Sequence, residues 1–124
     1  MSGEAVTRAF GRAAVVLLLL VGLAVVGILV ESAPPYVVSV IDYHFHDAHP
    51  TPPLSNDRTL IFRSQALNAH NVTIPAAGFS ENVRPGNEIV VERIGELLGG
   101  PGEYRFYCKF HVDRGMTGTI VIEG

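Results

Sequence analysis

This chain of 124 residues contains one cysteine, no tryptophan and two methionines, one of which is Met1. A lone thiol cannot close an intramolecular disulfide, which leaves Cys108 three roles: a reactive group, a ligand, or a small buried hydrophobe. Charge is also scarce. Lys, Arg, Asp and Glu together make up 17% of the residues and the formal net charge is −3, so no basic surface suited to nucleic acid is available. Glycine and proline, by contrast, are common, at 13 and 8 residues, and they cut the chain into short runs. A chain of this length accommodates one domain rather than two.

One long apolar stretch stands apart from the rest. Residues 13–30 contain neither a charge nor a proline and are dominated by Val and Leu. As a helix rising 1.5 Å per residue the run would span about 27 Å, close to the hydrocarbon thickness of a bilayer. Arg8 and Arg12 precede it and Glu31 follows. The bias of basic residues towards the cytoplasm therefore puts residues 1–12 inside, as a cytoplasmic tail, and everything after the span outside. A cleaved signal peptide is the competing reading. Its apolar region would be unusually long, and the nearest small-residue site, Glu31-Ser-Ala33, carries a carboxylate where a small neutral residue is wanted. The expectation is an uncleaved single-pass anchor in the cytoplasmic membrane at 13–30. A short linker follows at 31–35, stiffened by Pro34 and Pro35, and then an extracytoplasmic domain at 36–124.

Within that domain, Tyr104 to Ile122 brings a thiol, an imidazole and a thioether within nine residues, as Cys108, His111 and Met116 in the order C-x2-H-x4-M. Alternating β-like runs flank the three, so they would issue from the end of one strand and the loop leading into the next. Thiolate and imidazole in a plane with a weak thioether above it suit copper rather than the hard, oxygen-seeking cations. A second histidine is then required. His70, in Leu67-Asn-Ala-His-Asn-Val-Thr-Ile74, ends a loop directly before another β-branched run and completes a His2Cys plus Met set. The bland readings are a buried free thiol for Cys108 and ordinary core packing for Met116, and the spacing of the set weighs against both. With one cysteine, a binuclear copper centre bridged by two thiolates is excluded.

An upstream His-Asn, a C-x2-H-x4-M loop near the C-terminus and a closing strand together resemble the cupredoxins, with the ligand-loop spacing of plastocyanin and pseudoazurin. The resemblance covers roughly residues 36–124. It implies an all-β Greek-key sandwich, here preceded by the transmembrane helix, and one type 1 copper ion alternating between Cu(I) and Cu(II). It further implies an electron-carrier role rather than an enzymatic one. His70 and Cys108 would be the deep ligands, Met116 the axial one, and His111 would present an imidazole edge as the electron port. An apolar rim around that histidine docks redox partners in the family, and Phe110 and Val112 are placed to contribute. Asn71 would tie the His70 loop to the Cys108 loop, as the corresponding asparagine does in the family, and such hydrogen bonding fixes ligand geometry. Asn71-Val-Thr73 is also a glycosylation sequon, discounted because a glycan beside the metal would obstruct docking.

Taken in order, Tyr36 to Ile41 reads as the opening strand. In Asp42-Tyr-His-Phe-His46, Tyr43 and Phe45 are expected to face the core and His44 and His46 the solvent. With His49 these form an H-x-H-x2-H group that could hold a second metal, although solvated histidines on an outer face are commoner. Three prolines make residues 49–53 a connection along an edge. Arg58 to Ser64 reads as a strand with Leu60 and Phe62 inward and Arg63 outward. Residues 76–79 read as a loop, and Pro85-Gly86 as a type II bend leading to a strand over 88–92. Gly95 to Gly102 is too glycine-rich for a stable helix and is expected to be a connection. Tyr104, Phe106 and Cys108 share a face, which directs the thiol into the sandwich.

Two further functional classes fit the sequence less well. A copper-delivery or buffering protein is supported only by the histidines of residues 44–49, and the methionine-rich or multi-cysteine patterns that suit Cu(I) trafficking are absent. A copper oxidase or reductase needs a second copper with an open position, for which the chain is too short. The expectation is a membrane-tethered shuttle between redox proteins on the outer face, and it requires residues 70 and 108 to meet at one end of a β scaffold.

Overall fold

The computed structural model describes residues 33–124. The expected membrane helix at 13–30, the tail before it and the first two linker residues lie outside the described residues. Among the described residues no helix is long and apolar enough to cross a membrane.

Eight strands form two four-stranded sheets. They are β1 (Tyr36–Ile41), β2 (His44–His46), β3 (Leu60–Ser64), β4 (His70–Ile74), β5 (Phe79–Val83), β6 (Glu88–Val91), β7 (Gly102–Tyr107) and β8 (Thr117–Ile122). One sheet runs β2-β1-β3-β6 and the other β5-β4-β7-β8. All neighbours are antiparallel except β1 and β3, which pair in parallel from Tyr36 opposite Leu60 to Val40 opposite Ser64. This is the all-β sandwich anticipated from the short alternating runs.

Alternation decides which side chains meet between the sheets. In β1 Val38 and Val40 are buried, in β3 Leu60 and Phe62, and in β8 Ile120 and Ile122. Phe45, Phe62 and Phe106 form the centre, with ring centroids 4.8 to 6.3 Å apart in edge-to-face contacts, a preferred arrangement for aromatic pairs. Gly118 makes this centre possible. A β-carbon there would sit 2.6 Å from Phe106 Cε1, far inside van der Waals contact.

The proline-rich segment after His49 follows the free edge of β8. The N–H groups of Thr51 and Leu54 donate to the carbonyls of Thr119 and Val121, and Thr119 N–H donates to Ala48 O. Leu54 pairs in parallel with Ile122 and is fully buried. An edge that would otherwise present unpaired backbone groups is thereby covered.

Three expectations require correction. Tyr43 does not join Phe45 in the core. β1 and β2 pair with Ile41 opposite His44, which leaves Asp42 and Tyr43 as a two-residue turn, with Tyr43 at φ 67° and its ring substantially exposed. Residues 79–83, read partly as loop, form β5, an edge strand whose central Ser80, Glu81 and Asn82 are all exposed. Residues 95–98, placed in a connection, form with Ile94 one helical turn, α1 (Ile94–Leu98). Its glycine is a packing requirement rather than a breaker: Gly95 N–H donates to Asn56 O at 3.0 Å, and a β-carbon at residue 95 would collide with Asn56.

Candidate metal centre

One end of the sandwich collects the residues singled out by the C-x2-H-x4-M pattern. His70 opens β4, so its position is fixed by pairing with Val83 across β5. Cys108 follows β7 directly, and its alternation with Phe106 turns the side chain inward. A 3-10 turn at Val112–Arg114 returns the chain, and Gly115, at φ 80°, closes it with its N–H on Val112 O. A left-handed residue is needed at that point, which glycine supplies without strain. Met116 N–H then donates to His111 O at 3.3 Å, while Cys108 N–H donates to Met116 O at 3.0 Å. The loop is thus clipped shut by its own backbone.

The donor atoms converge. Cys108 Sγ lies 3.9 Å from His70 Nδ1 and 3.6 Å from His111 Nδ1, and the two Nδ1 atoms are 3.1 Å apart. Among the described residues this is the only group of three His, Cys, Asp or Glu donors lying within 4.8 Å of one another. Bonds of about 2.0 Å to nitrogen and about 2.3 Å to sulfur, spread over a trigonal plane, separate donors by about 3.5 Å for N to N and about 3.7 Å for N to S. The two N to S spacings, 3.6 and 3.9 Å, bracket the second value, and the N to N spacing of 3.1 Å falls somewhat short of the first. His70 and Cys108 are fully buried, and so is Met116, while His111 is only partly covered. A buried thiol, two imidazoles with their Nδ1 atoms facing inward and a buried thioether next in the loop form a donor set that fits a single type 1 copper ion.

Asn71 knits the surroundings together. Its backbone N–H donates to Cys108 Sγ at 3.3 Å, and its Oδ1 accepts the N–H of Lys109 at 3.3 Å. The same oxygen accepts the Thr73 hydroxyl at 2.5 Å, and Nδ2 donates to Ser80 Oγ and Asn82 Oδ1. The strand β5 that the sequence did not reveal is therefore what anchors this amide. Asn71 is wholly inaccessible, so in the folded domain the sequon offers no nitrogen for a glycan.

Two neighbours were missed from sequence. The carboxylate of Asp42 lies 2.8 Å from His70 Nε2 and also accepts the backbone N–H groups of Leu67 and Asn68. The hydrogen bond from His70, with those from Leu67 and Asn68 behind it, holds the Asp42 carboxyl down at about 2. Tyr43 packs edge-to-face with both imidazoles, 4.9 Å from His111 and 6.1 Å from His70, and the Arg114 guanidinium lies over the tyrosine ring at 4.5 Å. Reading Asp42-Tyr43 as a tight turn, rather than as a continuing strand, is the signal that would have brought both to this end.

The other histidines behave differently. His44 and His46 are exposed on β2 as expected, and His49 is exposed beyond it. His44 and His49 stack face to face, with centroids 4.9 Å apart and an interplanar angle of 9°, and His46 lies 6.1 Å from His44. These three do not gather their nitrogens as the buried group does. The His44 pKa is lowered, first by burial and then by the charges His49 and His46 would carry.

Comparison with known proteins gives a consistent result. The profile of the cupredoxin-like domain matches residues 12–122. A reduced amicyanin variant superposes with a TM-score of 0.57 at 17% identity, over 77% of this chain and 88% of its own. Another amicyanin variant, solved in its Cu(I) form, gives 0.56 at 16% identity over the same shares. A purple cupredoxin from Nitrosopumilus maritimus gives 0.54 at 13% identity, over 71% of this chain and 99% of its own. At these identities the structural likeness establishes the fold alone. No curated protein matches the chain significantly.

Proposed function

This chain belongs to the cupredoxin-like domain family, and from that premise we propose that it is a one-electron carrier with a single type 1 copper held by His70, Cys108, His111 and Met116. One observation carries the reading: three donor atoms, from strand ends 38 residues apart in sequence, lie 3.1 to 3.9 Å from one another at one end of the sandwich. When bound, copper supplies a reversible one-electron couple.

The residues divide the work. His70 and Cys108, wholly buried, keep water away from the donors. The backbone clip between Cys108 and Met116 and the Asn71 amide hold the loop in one geometry, which limits rearrangement between oxidation states. His111 is the ligand nearest solvent and serves as the electron port. Phe110 and Val112 beside it are 50% and 40% exposed, an apolar rim suited to the small, short-lived contacts of a redox carrier. Residues 13–30 tether the domain to the outer face of the cytoplasmic membrane, where donor and acceptor proteins are reached by lateral diffusion.

The test uses the full-length protein loaded with copper. An intense thiolate-to-copper absorption band, compressed copper hyperfine splitting in the paramagnetic spectrum and one copper per chain support the reading. Their absence, or two equivalents bound tightly, overturns it in favour of copper delivery. Retention of the uncut chain in membranes after an alkaline wash tests the tether; release into the supernatant removes it.

A further inference from the structure

The turn between β1 and β2 reaches across 28 positions to grip the buried histidine. Its hold is specific in direction. Asp42 Oδ1 faces His70 Nε2 at 2.8 Å and the Asn68 backbone N–H at 3.2 Å, while Oδ2 accepts the Leu67 N–H at 3.1 Å; Asn68 Nδ2 adds a fourth contact at 3.3 Å. Every one of these groups belongs to the segment that delivers His70 to the centre.

An ionised carboxylate only accepts hydrogen bonds, so the proton of neutral His70 must sit on Nε2. Nδ1 is then left with a bare lone pair, and Nδ1 is the atom that faces Cys108 Sγ and His111 Nδ1. The opposite tautomer would leave two lone pairs 2.8 Å apart at Asp42 and a proton where a ligand atom is needed. Tyr43, next in the turn, closes the other side by packing edge-to-face with both rings from a left-handed backbone conformation that tyrosine seldom adopts.

We propose that Asp42 is a positioning residue of the metal centre: it fixes His70 as the Nε2–H tautomer and, through the charge behind the ring, makes Nδ1 a stronger donor that favours the more highly charged oxidation state. The second half of this statement rests on the copper reading given above; the first half does not. A carboxylate behind a ligand histidine acts in this way at other metal centres, and removing such a partner changes metal affinity by about 10- to 100-fold.

Asp42→Ala is the informative change, because it leaves His70 Nε2 without the acceptor that faces it. An asparagine with its oxygen turned to Nε2 would still accept that N–H and give up only the Leu67 contact. Nitrogen-15 correlation spectra of the metal-free full-length protein read the tautomer directly. Wild-type His70 should show the single Nε2–H pattern, and Asp42→Ala a mixture or the Nδ1–H form. In copper-loaded protein the same variant should lose about tenfold more affinity for Cu(II) than for Cu(I), which raises the one-electron potential by about 59 mV while the thiolate band persists.

An Nδ1–H pattern in metal-free wild type overturns the assignment even if no variant folds, as does an unchanged Nε2–H pattern in Asp42→Ala. A switched tautomer with an unmoved potential overturns the tuning role. Should wild type show no thiolate band, the copper reading fails, and the metal-free spectra still decide what Asp42 does to His70.

Discussion

Two groups of histidines occupy this domain, and they contrast in nearly every physical respect. His44, His46 and His49 are close in sequence, lie on an exposed strand and its following turn, and, although His44 and His49 stack, do not bring three nitrogens together. His70 and His111 are 41 residues apart, issue from different strand ends, and place their Nδ1 atoms 3.1 Å apart beside a buried thiol. A strand explains the first case, since i and i+2 side chains point the same way but stand well apart. Antiparallel pairing explains the second: the start of β4 lies at the same end of the sheet as the finish of β7. Nearness in sequence is a weaker guide to a ligand set than a shared strand end backed by fixed hydrogen bonds.

The largest effect should come from removing the thiolate. Cys108→Ser should abolish the charge-transfer band entirely while leaving the strands in place, as checked by the optical spectrum and far-ultraviolet dichroism. Retention of an intense band would show that the sulfur is not a ligand. Copper removal sharpens the same point. A site that exists only in the folded chain stabilises it by about 2.7 kcal/mol at a free metal concentration 100-fold above Kd. Metal-free protein should therefore melt on the order of 10 °C lower than loaded protein, while a Cys108→Ser sample should show much less of that difference.

Asn71→Ala should follow in size. It strips an acceptor from Lys109 N–H and the Thr73 hydroxyl and removes the two donor contacts to β5, so, at about 0.5–1.5 kcal/mol net per hydrogen bond, a loss of about 1–3 kcal/mol is expected in denaturant titration. Met116→Leu should cost little stability because the volume is conserved. It should keep the band and raise the reduction potential; an unchanged potential and spectrum would mean that Met116 is core packing.

The same contrast accounts for what the sequence disclosed. The runs that became β1, β3, β6 and β8 alternate clearly because one face of each meets the core, while β4 is marked by its β-branched residues and is buried almost throughout. β5 does not alternate, since Ser80, Glu81 and Asn82 all face solvent on an edge, and its contribution to the centre passes through the side chain of Asn71 rather than through any apolar pattern. The C-x2-H-x4-M spacing is local and was visible. The Asp42 contact joins a turn to a loop 28 residues away, and it depends on Tyr43 adopting positive φ, a conformation no propensity scale assigns to tyrosine. α1 was hidden for a related reason: a glycine needed for close approach to Asn56 reads, without the neighbour, as a helix breaker.

The smallest effect belongs to the exposed trio. Replacing His44, His46 and His49 together with alanine should leave the copper count at one and move stability by no more than about 0.5 kcal/mol, as for most surface changes. A single replacement tests the physics more finely. His49 lowers the His44 pKa by charge repulsion across stacked rings, so His49→Ala should raise it towards the ordinary histidine value, read by proton resonance titration. The sign of the accompanying stability change follows from proton uptake. With a folded pKa below the unfolded one, His44 binds fewer protons in the native state, so stability falls as pH drops from the unfolded value near 6.5 through the lowered folded value, and the loss is complete below it. His49→Ala should flatten that part of the profile. If copper addition instead abolished the His44 titration in wild type, the trio would be a ligand set after all, and the distinction between the two histidine groups would collapse.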